Sequence, residues 1–571
     1  TTYTYDENLA DGVGLDATTG GNYGTILAGL NLRLGGTGCN GSAVLMTNAL
    51  SEKMLAVRDG IGRTIATIDP RNQSVVTSYD DVTTVATLVG VSVKDPLGNI
   101  TRQFADGAGR TRIMRDAQSK DVTQVYDANG NRVKVRDANG IGQDCLYDLH
   151  NRDVQCTDTA GAVTKRSYDQ AGNVLTATDA LNKVTTNVYD NQNRKVSTTD
   201  RIAATTTFEY DRNGNLISII DAQAAKTIYT YDVRNLLKEE EFPPGKATPK
   251  KSSDSGAKKP QVGTPGDVDL RIYTYYENRL LKTRLDQSGV QTTYTYDAAN
   301  RLTQRSYAST VDSNGNAIND GLPDLFTYDK ASRLKTAESK RYASTTTRTY
   351  DVAGRLTKED QVILGQTKNV QYGYDNANRT TSVTYPDGSK QVRTYTTRHQ
   401  LATTTWSATT AGTQEAIATY TYDNAGRRTQ TTLGNGVVET RTYATNDNLV
   451  SRLGVDLNGS TGSSEAGFAY AYNANKWKTV EQDLGANPGA GQWSQTFAYD
   501  AEGRLTGWQQ GATSGTMPTV TIPSPLQTQG WTLTPVGDWS NTTRDADGSG
   551  AGAALTETRT HSPVHEILTS Q

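Results

Sequence analysis

A Tyr-Asp pair recurs at an interval of 21 residues through the middle of this 571-residue chain. The evenly spaced pairs are Tyr126-Asp127, Tyr147-Asp148, Tyr168-Asp169, Tyr189-Asp190, Tyr210-Asp211 and Tyr231-Asp232. Others begin at Tyr5, Tyr79, Tyr296, Tyr328, Tyr350, Tyr374, Tyr422 and Tyr499. Self-similarity at a fixed period decides the architecture before any local propensity does, because each repeat is one supersecondary unit that buries its surface against its neighbours. A second Asp falls about halfway through each unit, at Asp137, Asp158, Asp179, Asp200 and Asp221. Each unit therefore holds two short segments, each closed by an Asp-x-x-Gly-like turn.

The turn chemistry predicts hairpins. An Asp carboxylate accepts a hydrogen bond from a backbone amide two residues on, and Gly or Asn then takes the left-handed conformation of a type I turn with a G1 bulge. Gly130, Gly172, Gly214, Gly354, Gly426 and Gly503 stand at that position. Between turns the text alternates and is rich in β-branched residues, as in Val174-Leu175-Thr176-Ala177-Thr178, which suits a pleated surface with period 2. About four turn residues per half-unit leave strands of about 6 or 7 residues. The expected fold is all-β: a run of hairpins that none could form alone. Composition agrees with a thin core. Hydrophobic residues are 35%, and 30 Tyr stand against 6 Phe and 6 Trp. Tyr adds buried ring area while its hydroxyl reaches water or a carbonyl.

Several classes are excluded. The 58 Lys and Arg nearly balance 61 Asp and Glu, which removes the electrostatic case for a nucleic-acid partner. No apolar run approaches the roughly 18 residues that a membrane-spanning helix needs. Three cysteines cannot make a disulfide-dense scaffold or a Cys-only zinc site. Reflection through a turn at His150 and Asn151 places Cys145 opposite Cys156 and Tyr147 opposite Val154. A cross-strand disulfide, implying an oxidising compartment, and two free thiols both fit that register. The chain opens at Thr1 without Met or a signal-type segment, from which an upstream part is expected to have been removed.

The unit resembles the YD repeat, also called the RHS repeat, which reads roughly Tyr-Asp-x-x-Gly-Arg-Leu. Close instances are Tyr350-Asp351-Val352-Ala353-Gly354-Arg355-Leu356, Tyr422-Asp423-Asn424-Ala425-Gly426-Arg427 and Tyr499-Asp500-Ala501-Glu502-Gly503-Arg504-Leu505. Degenerate units sit at Tyr276, Tyr395, Tyr443 and Tyr472, and one at Asp59 lacks the Tyr. The resemblance covers most of residues 51–571. It implies a spiral of β-hairpins forming a curved or hollow, cocoon-like shell. Such shells occur in bacterial Rhs and ABC-toxin C-component proteins, where they enclose a variable C-terminal toxin, and related repeats occur in wall-associated proteins and teneurins. Toxin-carrying members end the shell with a core containing an Asp-Pro-x-Gly-like segment and a self-cleavage site. Asp95-Pro96-Leu97-Gly98 has those letters but reads as an ordinary repeat turn. Plug, cleavage site and payload are expected to be absent or to lie beyond the residues given.

Two stretches depart from the repeat. Residues 1–50 form a Gly-rich leading segment expected to be irregular, ahead of a repeat region over 51–571. Residues 243–269 are a Pro/Gly/Lys/Ser insertion read as a mobile surface loop, whose Lys cluster is better explained as solvated than as a docking site. Other motifs yield to plainer readings. Gly36-Thr37-Gly38-Cys39-Asn40-Gly41, ahead of a possible helix at Ser42–Thr47, matches a dinucleotide fingerprint but lacks its second parallel strand. Asp312, Asn314, Asn316 and Asp320 alternate oxygen ligands as a calcium loop would, and Asp545 to Gly550 with Glu557 does so too. Neither run keeps Gly at position 6 and Glu at 12, and conformational turn chemistry accounts for both. His561 and His565 are separated by Pro563, which argues against one helical metal site. No nucleophile elbow, zinc-protease motif or P-loop is present, so no catalytic residue and no cofactor is expected.

The expected function is a non-catalytic part of a secreted or cell-surface shell that holds or delivers an attached polypeptide. An adhesion protein presenting rows of Tyr, Asn and Thr to cell-surface glycans is the alternative. An effector enzyme is expected only in a domain beyond Gln571.

Overall fold

A computed structural model describes residues 2–6, 42–47, 53–59, 61–85, 88–242, 269–285, 290–308, 310–311, 317–319, 321–457, 466–485, 493–546, 555–561 and 567–570. Every regular element among them is a β-strand, as the repeat predicts. The 243–269 insertion is described only at Asp269, which opens the strand Asp269–Tyr275.

One hairpin explains the rest. The strands Asp121–Tyr126 and Arg132–Arg136 are joined by Asp127-Ala128-Asn129-Gly130-Asn131. The Gly130 amide donates to the Asp127 carbonyl (3.2 Å), and the Asp127 amide to the Asn131 carbonyl (3.0 Å). Gly130 has φ of 89°. This is a type I turn followed by a G1 bulge, which matches the twist of the strands it joins. The bulge opposes two residues to one: Arg132 pairs with Tyr126, but Lys134 pairs with Val125.

That extra residue corrects one sequence-based expectation. Cys145 does face Cys156, and the two form a disulfide with Cα atoms 4.1 Å apart. Tyr147, however, pairs with Asp153 and not with Val154, because simple reflection through the turn omits the bulged position. Strands in the regular run are also slightly shorter than expected, at five or six residues. The possible helix at Ser42–Thr47 is a strand, paired on one side with Thr2–Asp6 and on the other with Lys53–Arg58. Its run of Val, Leu and Met is a buried strand, which periodicity does not distinguish from a short helix. Asp95-Pro96-Leu97-Gly98 forms the same turn as its neighbours.

The chain divides into two compact units. The first comprises Thr1–Gly140, Leu325–Arg428 and Leu433–Asn435, and the second Ile141–Asp324, Thr429–Thr432 and Gly436–Gln571. Within the first, successive strands pair antiparallel with their sequence neighbours, as Ile100–Ala105 does with Leu88–Lys94 and Thr111–Arg115. The second repeats the pattern, for example through Val163–Tyr168, Val174–Thr178 and Val184–Tyr189. Antiparallel neighbours need nothing but short turns between them.

The core is thin in both units. Leu55, Val57, Ile68 and Phe104 are fully buried in the first, while Ala471, Val480 and Val520 cluster in the second. Elsewhere many buried positions are polar, among them Gln124, Asn187, Ser218 and Thr292. The modest apolar content of the sequence is sufficient because hydrogen bonding carries much of the interior.

Candidate functional site

Among the described residues the repeated turn is a recurrent constellation of side chains, and its geometry is more specific than a conformational device requires. Asp148 shows it. Its Oδ1 accepts from the amides of His150 (2.8 Å) and Arg152 (3.0 Å), and its Oδ2 accepts from Arg152 Nε (2.7 Å). The Arg152 side chain, helped by those amides, holds the Asp148 carboxyl down at about 2, since every partner favours the charged form. The same Arg152 reaches onward to donate from Nη1 to the Asp169 carbonyl of the next Tyr-Asp turn (2.8 Å). Its guanidinium lies over the Tyr168 ring, 4.6 Å from the centroid. Tyr168 in turn donates its hydroxyl to the Asp153 carbonyl beside Arg152 (2.9 Å). Burial pushes the Tyr168 hydroxyl pKa upward.

Such Arg–Tyr pairs fasten one hairpin pair to the next. Arg194 does so with Asp211 and Tyr210, and Arg355 with Asp375 and Tyr374. Among the repeat residues singled out in the sequence, Tyr189, Tyr231, Tyr350, Tyr422 and Tyr499 also donate their hydroxyls to a carbonyl of a preceding unit. Asp127, Asp169, Asp190, Asp211, Asp232, Asp351, Asp423 and Asp500 all cap their own turns. The stacking bears on glycan recognition: a repeat Tyr under a guanidinium has that face covered and its hydroxyl engaged.

The sequence motif includes Arg355, Arg427 and Arg504, but the fastening role of its arginines went unread, and with it a doubled period. The residue after the left-handed position alternates as Arg110, Asn131, Arg152, Asn173, Arg194, Asn215. Where Asn stands, its amide still serves the Asp, as Asn173 Nδ2 does for Asp169 (2.8 Å). It bridges onward to the side chain of a left-handed Asn instead: Asn173 to Asn193 (2.9 Å) and Asn215 to Asn235 (3.0 Å). The signal was the alternation itself, 42 residues long beneath the 21-residue one. At the degenerate unit near Tyr276, Tyr275 holds the Tyr place and Tyr276 the Asp place.

A second arrangement joins turns far apart in sequence. In the first unit, Arg71 in a halfway turn donates to the carbonyls of Asp375 (3.3 Å) and Asn376 (3.2 Å) and to Asn378 Oδ1 (3.0 Å), across 304 to 307 positions. Arg398 contacts Asp116 (2.5 Å), and Asn139 donates to Asp423 (3.1 Å), 284 positions away. In the second unit, Thr159 donates to the Asn446 carbonyl (2.8 Å), Asn475 to Asp179 (2.9 Å), and Arg201 to Glu502 through both Nε (3.0 Å) and Nη2 (2.8 Å). These span 287, 296 and 301 positions. Arg201 holds the Glu502 carboxyl below its usual range. In each unit, then, a row of halfway turns meets a row of later Tyr-Asp turns edge to edge.

Other candidate residues stay apart or out of view. Asp312, Asn314, Asn316 and Asp320, the fingerprint at Gly36 to Gly41, and His565 lie outside the described residues. Among the described residues, no group of three or more His, Cys, Asp or Glu is placed to hold a metal ion, and no helix is long and apolar enough to cross a membrane.

Stapled antiparallel hairpins, with every described pairing between strands adjacent in the chain, define an all-β repeat protein. The model of the RHS Repeat family matches residues 210–240, 276–312 and 350–390, so these stretches are similar to RHS repeats. Solved structures of Tc toxin components share its fold. A Tc holotoxin pore from Photorhabdus luminescens matches with a TM-score of 0.54 and 14% identity, over 92% of this chain and 27% of that one. A TcdB2-TccC3-TEV chain matches at 0.55 and 14%, over 93% and 28%. TcdB2-TccC3 without its hypervariable C-terminal region matches at 0.55 and 14%, over 90% and 30%. This chain thus spans under a third of the length of each. At such identity the likeness is one of fold. No curated protein sequence matches the chain.

Proposed function

We propose that this chain is a non-catalytic wall segment of a secreted or cell-surface shell, one that encloses or delivers a polypeptide such as a C-terminal toxin. The observation that carries the reading is the edge-to-edge meeting of turns 284 to 307 positions apart, which recurs separately in each unit. At 21 residues per hairpin, such a separation holds about 28 strands, or roughly 130 Å of sheet at the usual strand spacing. A ribbon that travels so far before meeting itself, with so little apolar interior, suits a wall around a space better than a filled body. Unbroken pairing of each strand with its sequence neighbours also leaves few strand edges open to aggregation. The likeness to toxin-complex chains supports a place in such a complex, and the Cys145–Cys156 disulfide supports an oxidising compartment. Small-angle scattering tests the reading. A filled chain of this length has a radius of gyration of about 25 Å. A shell gives a clearly larger value and a hollow pair-distance profile, and a value near the compact one overturns the reading.

A further inference from the structure

Large apolar side chains exposed on the two units are not scattered evenly. On the early halfway turns, whose row meets later Tyr-Asp turns, Leu97 is the sole exposed one among the described residues. On the continuation of that halfway edge the pattern reverses. In the first unit Tyr342 (67% exposed), Ile363, Leu364 (80%) and Tyr385 crown successive halfway turns. In the second, Leu457 just after the strand Val450–Asp456 and Trp493 just before the strand Ser494–Tyr499 are exposed as well. The hairpin of Leu356–Ile363 and Gln366–Tyr374 is longer than its neighbours and carries Leu364 at its tip, with φ of 48° before Gly365. Beside it lies an open cavity of about 630 Å³ lined by Lys368, Tyr385, Pro386, Asp387 and Trp406, among others.

The early Tyr-Asp turns carry the complementary feature. Ile61 in the first unit, and Leu149 (95% exposed) and Val233 (fully exposed) in the second, project from them. No large apolar side chain is exposed on the Tyr-Asp turns of residues 375–503, the row that the early halfway turns meet. Exposed apolar groups thus mark both edges where no described contact joins the two kinds of turn.

We propose that the late halfway edge is a docking surface for a row of early Tyr-Asp turns brought by a second copy of this chain. The occupant follows from continuity: the same edge, earlier in each unit, already receives that kind of turn through Arg71, Asn139, Thr159 and Arg201. The interface is head-to-tail, because the two surfaces differ and each copy offers one of each. Apolar knobs such as Leu149 and Val233 meet an apolar rim with a cavity, where the internal seam uses ion pairs and amides. The proposal rests on the internal seam and not on the enclosure of a cargo, so a filled body in scattering leaves it standing.

Sedimentation of the purified chain over a range of concentrations tests this, together with two variants. One carries Tyr342→Asp and Leu364→Asp on the late edge, and the other Leu149→Asp and Val233→Asp on the early edge. All four positions are exposed, and circular dichroism checks that each variant keeps the wild-type strand content. The wild type is expected to self-associate with rising concentration, and each variant alone to stay monomeric. An equimolar mixture of the two is expected to form dimers and nothing longer, since each retains one intact edge. A wild type that stays monomeric throughout, variants that associate as it does, or a mixture that stays monomeric would each overturn the proposal.

Discussion

At the scale of single residues, the repeat is a solution to one backbone problem, namely how to reverse a strand every few residues without a core to force it. Asp caps the turn, and a residue with positive φ completes it. Gly172 has φ of 94°, and nothing lies within 4 Å of where a Cβ would stand. Its role is therefore conformational, and Gly172→Val is expected to cost about 1 to 2 kcal/mol from left-handed strain alone. Wild-type denaturant stability in that variant would contradict the assignment. The sequence made this position legible where Gly or Asn stands, but Ala203, Ser332 and His399 also adopt positive φ, which composition does not reveal. The capping carboxyls set an acid limit. Asp148, held at about 2 against an ordinary 3.8, favours the fold above the ordinary value. That contribution fades as pH falls from about 4 to 2, when the folded carboxyl takes up its proton. Asp127 and Asp190 are lowered in the same direction by Asn131 and Arg194. The melting temperature is therefore expected to be flat from neutral pH down to about 5 and to drop below 4. A steep loss between pH 7 and 5 would place the controlling groups elsewhere.

At the scale of the element, the hairpin was readable and the fastening between hairpins was not. Alternation and turn residues give strands and their order, because both act within a few positions. The Arg152 contacts to Asp169 and Tyr168 act 16 to 17 positions on, and nothing in a turn's own chemistry requires them. The disulfide register was legible from spacing alone, whereas the Tyr147–Asp153 pairing was not, since the bulge adds a residue that symmetry hides. If Arg152 fastens adjacent units, Arg152→Ala removes a charge-assisted hydrogen bond and a cation–π contact together, at about 1 to 2 kcal/mol. Tyr168→Phe, which removes one hydroxyl shared between the Asp153 carbonyl (2.9 Å) and carboxylate (3.2 Å) and keeps the ring under Arg152, is expected to cost about half of that. Equal effects, or none for Arg152→Ala in thermal unfolding, would mean that the strands hold together without the fastening.

At the scale of the whole molecule, the period announced a repeat wall, but its length gave no sign of which turns would meet. Arg201 and Glu502 look unremarkable in the sequence, each an ordinary surface residue of its own turn, yet they are bound through three hydrogen bonds across 301 positions. Such pairings depend on how far the ribbon travels before it returns, and that distance is a sum of many small twists. The central claim is that stapled hairpins form a continuous ribbon that meets its own edge at these turns. Cysteines introduced in place of Asn139 and Asp423 in the first unit, and of Thr159 and Asn446 in the second, test it most directly when joined by a short bifunctional maleimide and mapped by mass spectrometry. The account predicts rapid cross-links within single molecules at both pairs. Links that form only between molecules, or only between neighbouring hairpins, would contradict it.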